Sequence, residues 1–587
     1  MFRSALFLFI VLVSQFYADA RPLISGDTGV TKIRLNQIGF YPDAPKIAIV
    51  VSSKSQVFTI QTLNGKTILT GRLNLSLKPG LNRLFTRIAD FSDLKKEGTY
   101  RLYVPGLGYS YPFTIARSVH RKVAVAAIKA YYYTRASIKI ESKYAGKWSR
   151  AAGHPDDHVL VHPSAADSSR VAGTVISSPR GWYDAGDYNK YVVNSGISTY
   201  TLLSLYEDFP DHMKTVKLNI PESGNNVPDV LNEALWNIRW MLSMQDPNDG
   251  GVYHKLTNAA FDKMVMPSQA TTTRYVVQKS TAATLDFAAV MAQSARIFKQ
   301  YHKEFPGLSD SCLSAAKKAW AWAQQNPGVL YQQNRINQKF NPKITTGEYS
   351  DGNVSDEFLW ASAELFVTTG ESQYLKIVGQ SAERPIVLPA WNEVGTLGYY
   401  SVLRYCNQLN TSYPDLMVLK KKYLDFADGL INNTDSTAFK TVIQKRPSNF
   451  IWGSNALAAN QGMALIVAYK ISGDKKYLRY ALANLDYLLG RNGTGYSYLT
   501  GYGSKTPMHP HHRPSIADGI VEPIPGLLVG GPNPGMQDYV LVPSIIPDEA
   551  YIDDDRAYAV NEIAINWNAP FAYLVNGIEA LQNDLNN

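Results

Sequence analysis

Three segments of this 587-residue chain hold charged side chains at spacings that could do chemistry. The first segment is residues 182–191, in which Asp184 and Asp187 are separated only by an alanine and a glycine. Small residues between two carboxylates permit a tight turn, so both carboxylates can face one water molecule and accept its proton. Two carboxylates this close would also titrate as a coupled pair. The alternative is an Asx-turn that carries two solvated aspartates.

The second segment, residues 507–514, combines prolines with three histidines and an arginine. The prolines keep the chain extended, so His511 and Arg513 would project to the same side. An imidazole and a guanidinium can donate hydrogen bonds to hydroxyl groups and can orient a carboxylate. Two alternatives are a plain surface turn and a metal site made by the histidines. No carboxylate or cysteine lies at the usual ligand spacing for such a metal site.

The third segment, residues 551–564, contains an acidic run at 553–555 and then Glu562 within an apolar stretch. Desolvation there would raise the pKa of Glu562 and keep it protonated near neutral pH, as a general acid requires. The acidic run could instead be a solvated loop. Glycosidic bond cleavage uses two carboxyl groups, and an inverting enzyme sets them about 6.5–9.5 Å apart to admit a water molecule. No phosphate-binding glycine loop, nucleotide fingerprint or nucleophile elbow competes with this interpretation.

The elements that would position these segments fall into two parts of the chain. From about residue 31 to 115 the hydrophobic residues recur with period 2 in short runs broken by turn signals, as in residues 98–104. This pattern predicts a β-sandwich of immunoglobulin type without its cysteines. From about residue 118 a helical period takes over, in about a dozen segments separated by long loops rich in Trp, Tyr, His and Asp. The predicted helices lie at about 119–135, 196–208, 228–242, 281–300, 310–325, 355–369, 394–406, 414–430, 455–471, 475–489 and 562–581. Antiparallel helix pairs closed into a ring would gather those loops on one face.

The first twenty residues have the features of a signal peptide. Arg3 supplies a positive charge, residues 5–16 are mostly apolar, and residues 18–20 form a small-x-small cleavage site. The apolar run is too short to cross a bilayer comfortably, and no later run reaches the roughly 18 residues needed. We therefore expect a secreted protein, or one exported to the periplasm or cell surface, with a membrane anchor as the alternative.

Composition excludes some partners and favours others. The chain has 58 Lys+Arg and 49 Asp+Glu, a net charge of +9, and lacks a concentrated basic block, so nucleic-acid binding is not expected. Its 37 tyrosines and 10 tryptophans could line a groove for sugars, although aromatic packing in the core is the alternative. With only two cysteines, a disulfide framework or a cysteine-based zinc site is not expected.

These segments resemble the signatures of glycoside hydrolase family 9, the inverting cellulases, and the resemblance covers nearly the whole mature chain. Residues 33–40 resemble the opening of the immunoglobulin-like domain that precedes the catalytic domain in one branch of this family. Residues 488–492, 499–503 and 510–513 resemble its histidine region. Its acidic signature is matched at every spacing by Tyr551, Asp553, Tyr558, Glu562, Ala564, Asn568 and Ala569.

The resemblance implies a multidomain fold. A signal peptide at residues 1–20 would be followed by an immunoglobulin-like β-sandwich at 21–116 and an all-α (α/α)6 toroid catalytic domain at 117–587. We expect the sandwich to brace the toroid and not to grip sugar, because its strands show few exposed aromatic residues.

The implied activity is that of a secreted endo-β-1,4-glucanase that hydrolyses cellulose, mixed-linkage glucan or xyloglucan with inversion. We expect a β-glucan substrate, no nucleic acid, no membrane span and a monomer. One alternative is an exo-β-glucosaminidase that acts on chitosan oligosaccharides. The other is a non-catalytic polysaccharide-binding protein, which would be expected to lack an acid or base, yet Asp187 and Glu562 are both present.

The resemblance also assigns roles to residues. Asp187 corresponds to the general base that activates water, Asp184 to its partner in holding that water, and Glu562 to the general acid. His511 and Arg513 would bind the sugar at the point of cleavage, with Asp553 supporting the site. The candidates for stacking on sugar rings are Trp182, Trp391, Trp452 and Tyr558.

Relatives in this family often bind structural calcium. Asp356 and Glu357 resemble part of such a site, and Glu393 is a possible distant ligand. Calcium prefers carboxylate and carbonyl oxygens, but acidic residues at a helix start could also serve only to cap the helix. Some relatives carry a zinc site whose cysteines are lacking here in residues 136–154, so zinc is not expected.

Overall fold

The structure is a computed structural model that describes residues 32–75, 81, 85–380, 384–406, 408 and 415–586. The predicted signal peptide, residues 1–20, lies outside the described residues. None of the described helices is long and apolar enough for a membrane crossing.

The N-terminal strands form a sandwich of two sheets. The strands are β1 Ile33–Arg34, β2 Gly39–Phe40, β3 Ile47–Val51, β4 Val57–Thr62, β5 Thr67–Arg72, β6 Asn74–Leu75, β7 Thr86–Asp90, β8 Gly98–Val104, β9 Gly108–Tyr109 and β10 Phe113–Ile115. One sheet has the order β1-β3-β7-β6, and the other has the order β2-β10-β8-β4-β5 with β9 paired to β8. Strand β8 buries Tyr100, Leu102 and Val104 on one face, which confirms the period-2 prediction for this run.

The remainder of the chain is mostly helical. Its helices are α1 Arg121–Thr134, α2 Ser142–Ala145, α3 Val192–Asp208, α4 Pro210–Thr215, α5 Asp229–Ser243, α6 Thr281–Phe298, α7 Leu308–Gln325, α8 Gln333–Lys339, α9 Ser355–Thr369, α10 Ser372–Gln380, α11 Gly395–Tyr405, α12 Asp415–Ile431, α13 Ser454–Ser472, α14 Lys475–Leu488, α15 Arg513–Ala517, α16 Tyr558–Asn561 and α17 Ile565–Ala580.

In the described part of the chain, six of these helices (α3, α6, α9, α11, α13 and α17) pack side by side in a closed ring. Outside them lie α1, α5, α7, α10, α12 and α14, each packed on the ring. Ring helices such as α6 are buried nearly all round, because they contact neighbours on both sides and the outer layer behind them. The predicted (α/α)6 toroid is therefore confirmed. The sequence pattern had predicted every one of these twelve helices except α10.

A third sheet lies within the helical part and was not predicted. Its order is β12-β11-β15-β14-β13, from strands β11 Val159–Val161, β12 Val175–Ile176, β13 Lys190–Tyr191, β14 Lys255–Asn258 and β15 Arg274–Val276. Strands of two to four residues are too short for a periodic signal. Strand β13 begins at Lys190, shortly after Asp187, so this sheet anchors the end of the acidic turn.

Polar side chains that follow β1 form hydrogen bonds between the sandwich and the toroid. Gln37 donates from Nε2 to the Gly495 carbonyl at 2.8 Å and accepts from the backbone N–H groups of Ser504 at 2.8 Å and Lys505 at 2.9 Å. Asn36 donates to Oδ1 of Asp486 at 2.8 Å. The sandwich thus holds the loop that leads into the histidine segment.

Candidate active site

The three chemically interesting segments meet at Gly186. Its N–H donates to Oε1 of Glu562 at 3.3 Å, and its carbonyl accepts from Nη1 of Arg513 at 2.6 Å. A Cβ atom at this position would lie 2.4 Å from the His511 carbonyl oxygen and 2.7 Å from His511 Cδ2. Glycine is therefore required here by close approach, since any side chain would push the segments apart.

Asp187 lies at the wall of a cleft of about 870 Å³ and is 6% exposed. Its Oδ2 atom accepts hydrogen bonds from Nδ2 of Asn189 at 2.5 Å and from the hydroxyl of Tyr191 at 3.2 Å. No described residue donates a hydrogen bond to its Oδ1 atom. One oxygen is thus fixed by the protein, and the other is available to a water molecule in the cleft.

Asp184 is almost completely buried beside Asp187. Nδ2 of Asn194 contacts both of its oxygens, at 2.9 and 3.1 Å, and the hydroxyl of Tyr349 donates to Oδ2 at 2.9 Å. Burial and the nearby charge of Asp187 raise the pKa of Asp184. The Asp184 carbonyl accepts from the N–H of Ile565 at 2.8 Å, which ties this turn to the start of α17.

Glu562 is fixed by its backbone and faces the same cleft. Its carbonyl accepts from the N–H of Gly530 at 2.8 Å, and the preceding residue, Asn561, accepts from the N–H of His511 at 2.9 Å. Burial, followed by the charge of Asp187, raises the pKa of Glu562 well above its usual range, while the hydrogen bond from Gly186 opposes the shift. A carboxyl group in this setting keeps its proton near neutral pH.

His511 and Arg513 both line the cleft, but much of their hydrogen-bonding capacity is used by the protein. Nδ1 of His511 lies 2.6 Å from the Asp555 carbonyl, which can only accept, so Nδ1 carries the hydrogen. Burial lowers the pKa of His511, so the ring is neutral and its Nε2 is an acceptor. Arg513 donates from Nε and Nη2 to the Asp262 carbonyl, each at 3.0 Å, besides its bond to Gly186.

Asp553 lies behind the cleft, where its carboxylate is occupied by donors from the protein. Oδ2 accepts from the N–H of Met508 at 2.8 Å, and Oδ1 accepts from the N–H of His509 at 2.9 Å and from Nδ2 of Asn561 at 3.0 Å. Asp553 therefore orients the segment that carries His511. Its carboxylate binds groups of the protein.

Three of the four predicted stacking residues, Trp391, Trp452 and Tyr558, line the cleft. The rings of Trp452 and Tyr558 are 5.3 Å apart, so they form a continuous aromatic surface. The prediction for Trp182 is wrong. That ring is 0% exposed and donates from Nε1 to Glu233 at 2.9 Å, because it packs beneath the acidic turn as part of the core.

The sequence analysis missed several residues that line the cleft or contact its acids. Tyr191 and Asn194 follow the acidic turn closely, and their spacing from the two aspartates could have pointed to them. Tyr349 and Phe261 carry no such signal, since they come from distant loops that only the fold brings to the cleft.

The predicted metal residues Asp356 and Glu357 begin α9 and lie near two further carboxyl groups, Asp286 and Asp351. Asp286 has two buried oxygens without a hydrogen-bond partner, and the other three residues have one each. Burial and mutual repulsion raise the pKa values of Asp286 and Glu357 well above their usual range. Glu393 is exposed, and the charges of Asp356 and Asp351 act on it.

As they stand, the described side chains include no group of three or more His, Cys, Asp or Glu arranged to hold a metal ion. In the region where some relatives carry zinc ligands, Ala136, Tyr183, Tyr188 and Ala270 form a small apolar cluster. Nδ1 of His154 lies 2.8 Å from the hydroxyl of Tyr183 in the same place. An aromatic and apolar cluster here offers a poor ligand set for zinc.

Comparisons with known proteins agree with this architecture. The sequence model of the cellulase N-terminal ig-like domain matches residues 29–109, and that of glycosyl hydrolase family 9 matches residues 120–575. A xyloglucan-specific endo-beta-1,4-glucanase of Bacteroides ovatus is 47% identical over 94% of this chain and 94% of its own length. Endoglucanase D of Acetivibrio thermocellus is 35% identical over 93% of this chain and 83% of its own length. A solved Bacteroides ovatus GH9 structure superposes with a TM-score of 0.89 at 45% identity, covering 94% of this chain and 99% of that chain.

Proposed function

Because this chain belongs to glycosyl hydrolase family 9, we propose that Asp187 is its catalytic base and Glu562 its catalytic acid. The enzyme is an endo-β-1,4-glucanase that inverts the anomeric configuration. One observation carries the assignment of roles. Asp187 lines the cleft, and no described residue donates a hydrogen bond to its Oδ1 atom. The carboxyl group of Glu562, whose pKa is raised by burial, lines the same cleft.

The proposed reaction is a single displacement. Oδ1 of Asp187 takes a proton from a water molecule as the water oxygen bonds to the anomeric carbon from the face opposite the leaving sugar. Asp184 holds the same water, and its raised pKa leaves the role of base to Asp187. The bond from the anomeric carbon to the glycosidic oxygen breaks, and Glu562 transfers its proton to that oxygen. Exchange with solvent then returns a proton to Glu562 and removes one from Asp187.

We assign sugar binding to groups that line the cleft around these acids. Nε2 of His511 accepts a hydrogen bond from a sugar hydroxyl, and the remaining N–H groups of Arg513 donate to sugar oxygens. Trp391, Trp452 and Tyr558 supply flat apolar faces on which pyranose rings stack. Asp553 acts on this site indirectly, by fixing the backbone before His511.

Xyloglucan is the substrate that we propose for this cleft. The support is the Bacteroides ovatus relative, which is named for xyloglucan, and the cleft lining itself. Phe261 and Ile451 line the cleft and are 49% and 51% exposed. Apolar surface of this kind can contact the sugar branches that distinguish xyloglucan from cellulose.

Initial rates on xyloglucan, carboxymethyl-cellulose, mixed-linkage glucan and chitosan test this substrate, with NMR reading the anomer that forms first. We expect the highest kcat/KM on xyloglucan and an α-anomer as first product. Equal rates on branched and unbranched glucan would refute the preference, and turnover of chitosan alone would favour a glucosaminidase. The Asp187→Asn variant should be inactive on every substrate.

We further propose a structural calcium ion at the carboxyl cluster of Asp356 and Glu357, with Asp286 and Asp351 nearby and Glu393 at its edge. The support is that buried carboxylate oxygens there lack hydrogen-bond partners, which is a costly arrangement unless a cation neutralises them. The ion would supply positive charge at the start of α9 and no step of the reaction.

For the chain as a whole, we propose secretion through a signal peptide at residues 1–20, an immunoglobulin-like domain at 21–116, a catalytic domain at 117–587, and a monomer. The domain limits are supported by the end of β10 at Ile115 and the start of α1 at Arg121. The sandwich braces the catalytic domain, as the contacts of Gln37 suggest.

A further inference from the structure

A buried lysine lies behind the proposed base. Lys255 starts β14, pairs with Tyr191 of β13 in the small sheet, and is 0% exposed. Its ammonium group donates to Oε1 of Gln333 at 2.7 Å, to Oγ1 of Thr346 at 3.1 Å and to the Gly347 carbonyl at 2.6 Å. No described carboxylate forms an ion pair with it. A buried ammonium that is held only by neutral acceptors is unusual and calls for an explanation.

One chain of hydrogen bonds leads from this lysine to Asp187 through Gly347 and Tyr191. The Gly347 carbonyl accepts from Lys255, and the Gly347 N–H donates to the Tyr191 hydroxyl at 3.1 Å. That hydroxyl in turn donates to Oδ2 of Asp187 at 3.2 Å. Because the hydroxyl has one hydrogen, accepting from Gly347 leaves that hydrogen for Asp187.

A second chain runs through Thr346, Thr257 and Asn189. Oγ1 of Thr346 accepts from Lys255 and lies 2.7 Å from Oγ1 of Thr257, which donates to Oδ1 of Asn189 at 2.9 Å. Nδ2 of Asn189 then donates to Oδ2 of Asp187 at 2.5 Å. Both chains therefore begin at one ammonium group and end at the same carboxylate oxygen.

The charge of Lys255 acts on the same carboxylate. Burial lowers the pKa of Lys255 to about 7, and attraction to Asp187, followed by Glu348, opposes that shift. The lysine is therefore charged at acid pH. Asp187 also interacts with Asp184, Glu562, Tyr191, Tyr349 and His511. The cation Arg513 lines the same cleft and donates to the carbonyl of the preceding residue, Gly186. Lys255 therefore adds a buried positive charge that attracts the carboxylate of Asp187.

We propose that Lys255 is a positioning residue for catalysis, which holds Oδ2 of Asp187 through two hydrogen-bond chains and stabilises its negative charge, so that Oδ1 faces the water. This inference rests on the proposed role of Asp187 as the base. It explains why a cation is buried beneath an acidic turn without a carboxylate partner of its own.

The test is the Lys255→Met variant, which keeps the length of the side chain and removes the charge and the donors. We expect kcat to fall by about tenfold or more, the loss of about 1.4 kcal/mol of transition-state stabilisation. KM should change by less than about twofold, because ground-state binding does not depend on this group. The acidic limb of the kcat/KM profile should move to higher pH, because a carboxylate that loses a nearby positive charge takes up a proton more easily.

Lys129→Met is the matched control. Lys129 is also a buried lysine held by neutral acceptors, the carbonyls of Tyr144, Leu218 and Asn219, and it lies on α1. Its replacement should lower the melting temperature and leave kcat and the acidic limb unchanged.

The Tyr191→Phe and Thr257→Val variants test the two chains. Each should lower kcat and shift the acidic limb, and Tyr191→Phe combined with Lys255→Met should have less than the summed effect, as expected for residues in one network. A folded Lys255→Met enzyme with the parent's kcat and acidic limb would overturn the proposal. If Lys255→Met does not fold, Tyr191→Phe is the test. Tyr191→Phe with the kcat and acidic limb of the parent would then overturn the proposal.

The Asp187→Asn variant distinguishes a failure of the positioning role of Lys255 from a failure of the proposed role of Asp187 as the base. If Asp187→Asn keeps the parent's activity, the assignment of the base fails. If Asp187→Asn is inactive while Lys255→Met behaves as the parent, the base stands and only the positioning role fails.

Discussion

The N–H of Gly186 donates a hydrogen bond to Oε1 of Glu562 at 3.3 Å, although 376 residues separate the two in sequence. The turn that carries both aspartates therefore touches the opposing acid directly. The bond favours the carboxylate that remains after Glu562 has given up its proton, whereas burial favours the acid before transfer. One contact thus links the spacing of the acids with the proton affinity of Glu562.

Replacing Gly186 should disturb the whole site. In Gly186→Ala the new Cβ would lie 2.4 Å from the His511 carbonyl, so the acidic turn and the histidine segment must separate. We expect kcat/KM on soluble glucan to fall by about 100-fold or more, as is typical when reacting groups shift by about 1 Å. Gly224→Ala is the control, because Gly224 is exposed and nothing lies within 4 Å of its added Cβ. Parent-like activity of Gly186→Ala in a folded protein would contradict the geometry.

The acid and the base should respond differently to the leaving group. Glu562→Gln should lose about 10²–10⁴-fold in kcat on glucan, yet retain much of its activity on an aryl cello-oligoside whose leaving phenolate needs no proton. Asp187→Asn should be inactive on both substrates, because water still has to be activated. Steady-state kinetics on the two substrates measure this difference, and an equal loss for Glu562→Gln on both would argue against its role.

The dependence of kcat/KM on pH should also show that Glu562 acts as the acid. Glu562 is active when protonated, so kcat/KM must fall as pH rises through its pKa. Because that pKa is raised, the basic limb should lie above the ordinary range of a glutamate, which is about 4.3. The basic limb should disappear for Glu562→Gln on the aryl substrate, and a limb that remains unchanged would have to come from another group.

Chelation should destabilise the protein in a pH-dependent way. The pKa values of Asp286 and Glu357 are raised in the folded state, so without calcium the folded protein should lose stability as pH rises from their unfolded values towards their folded ones. We expect the melting temperature in EDTA to be lower at about pH 7.5 than at about pH 5, and added calcium to reduce this difference.

The variant Asp286→Asn tests whether calcium binds at this carboxyl cluster. In EDTA near neutral pH it should melt above the parent, because one repelling charge is gone, whereas in calcium it should melt below the parent, because one ligand is gone. Asp93→Asn, on the exposed surface of the sandwich, should change neither melting temperature. A parent enzyme with the same melting curve in EDTA and in calcium would rule out the ion.

The contact of the sandwich with the toroid should contribute to stability through Gln37. Gln37→Ala removes the acceptor of the partly buried N–H groups of Ser504 and Lys505, at a cost of about 0.5–1.5 kcal/mol for each hydrogen bond. We expect a lower melting temperature, with the loop before the histidine segment the first to gain hydrogen exchange. Gln56→Ala, at an exposed position of the same domain, is the control. Unchanged exchange in residues 495–505 would refute the bracing role.

Much of this protein could be predicted from local pattern. The alternation of Tyr100, Leu102 and Val104 indicated a strand with one buried face, and helical periods indicated eleven of the twelve toroid helices. The spacing of Asp184 and Asp187, and the apolar run around Glu562, indicated a pair of acids and a desolvated proton donor. Each of these signals lies within a few residues of the feature that it predicts, so it can be read without knowing the fold.

Tertiary packing decided the features that depend on distant neighbours. Trp182 is a core residue because α5 supplies Glu233 above the buried ring, and Tyr349 reaches Asp184 from 165 residues away. Lys255 is an ordinary lysine in the sequence, yet the pairing of two short strands buries it behind Asp187. Burial, hydrogen bonding and charge depend on which groups the folded chain brings together, and for these residues that information lies outside their own segments.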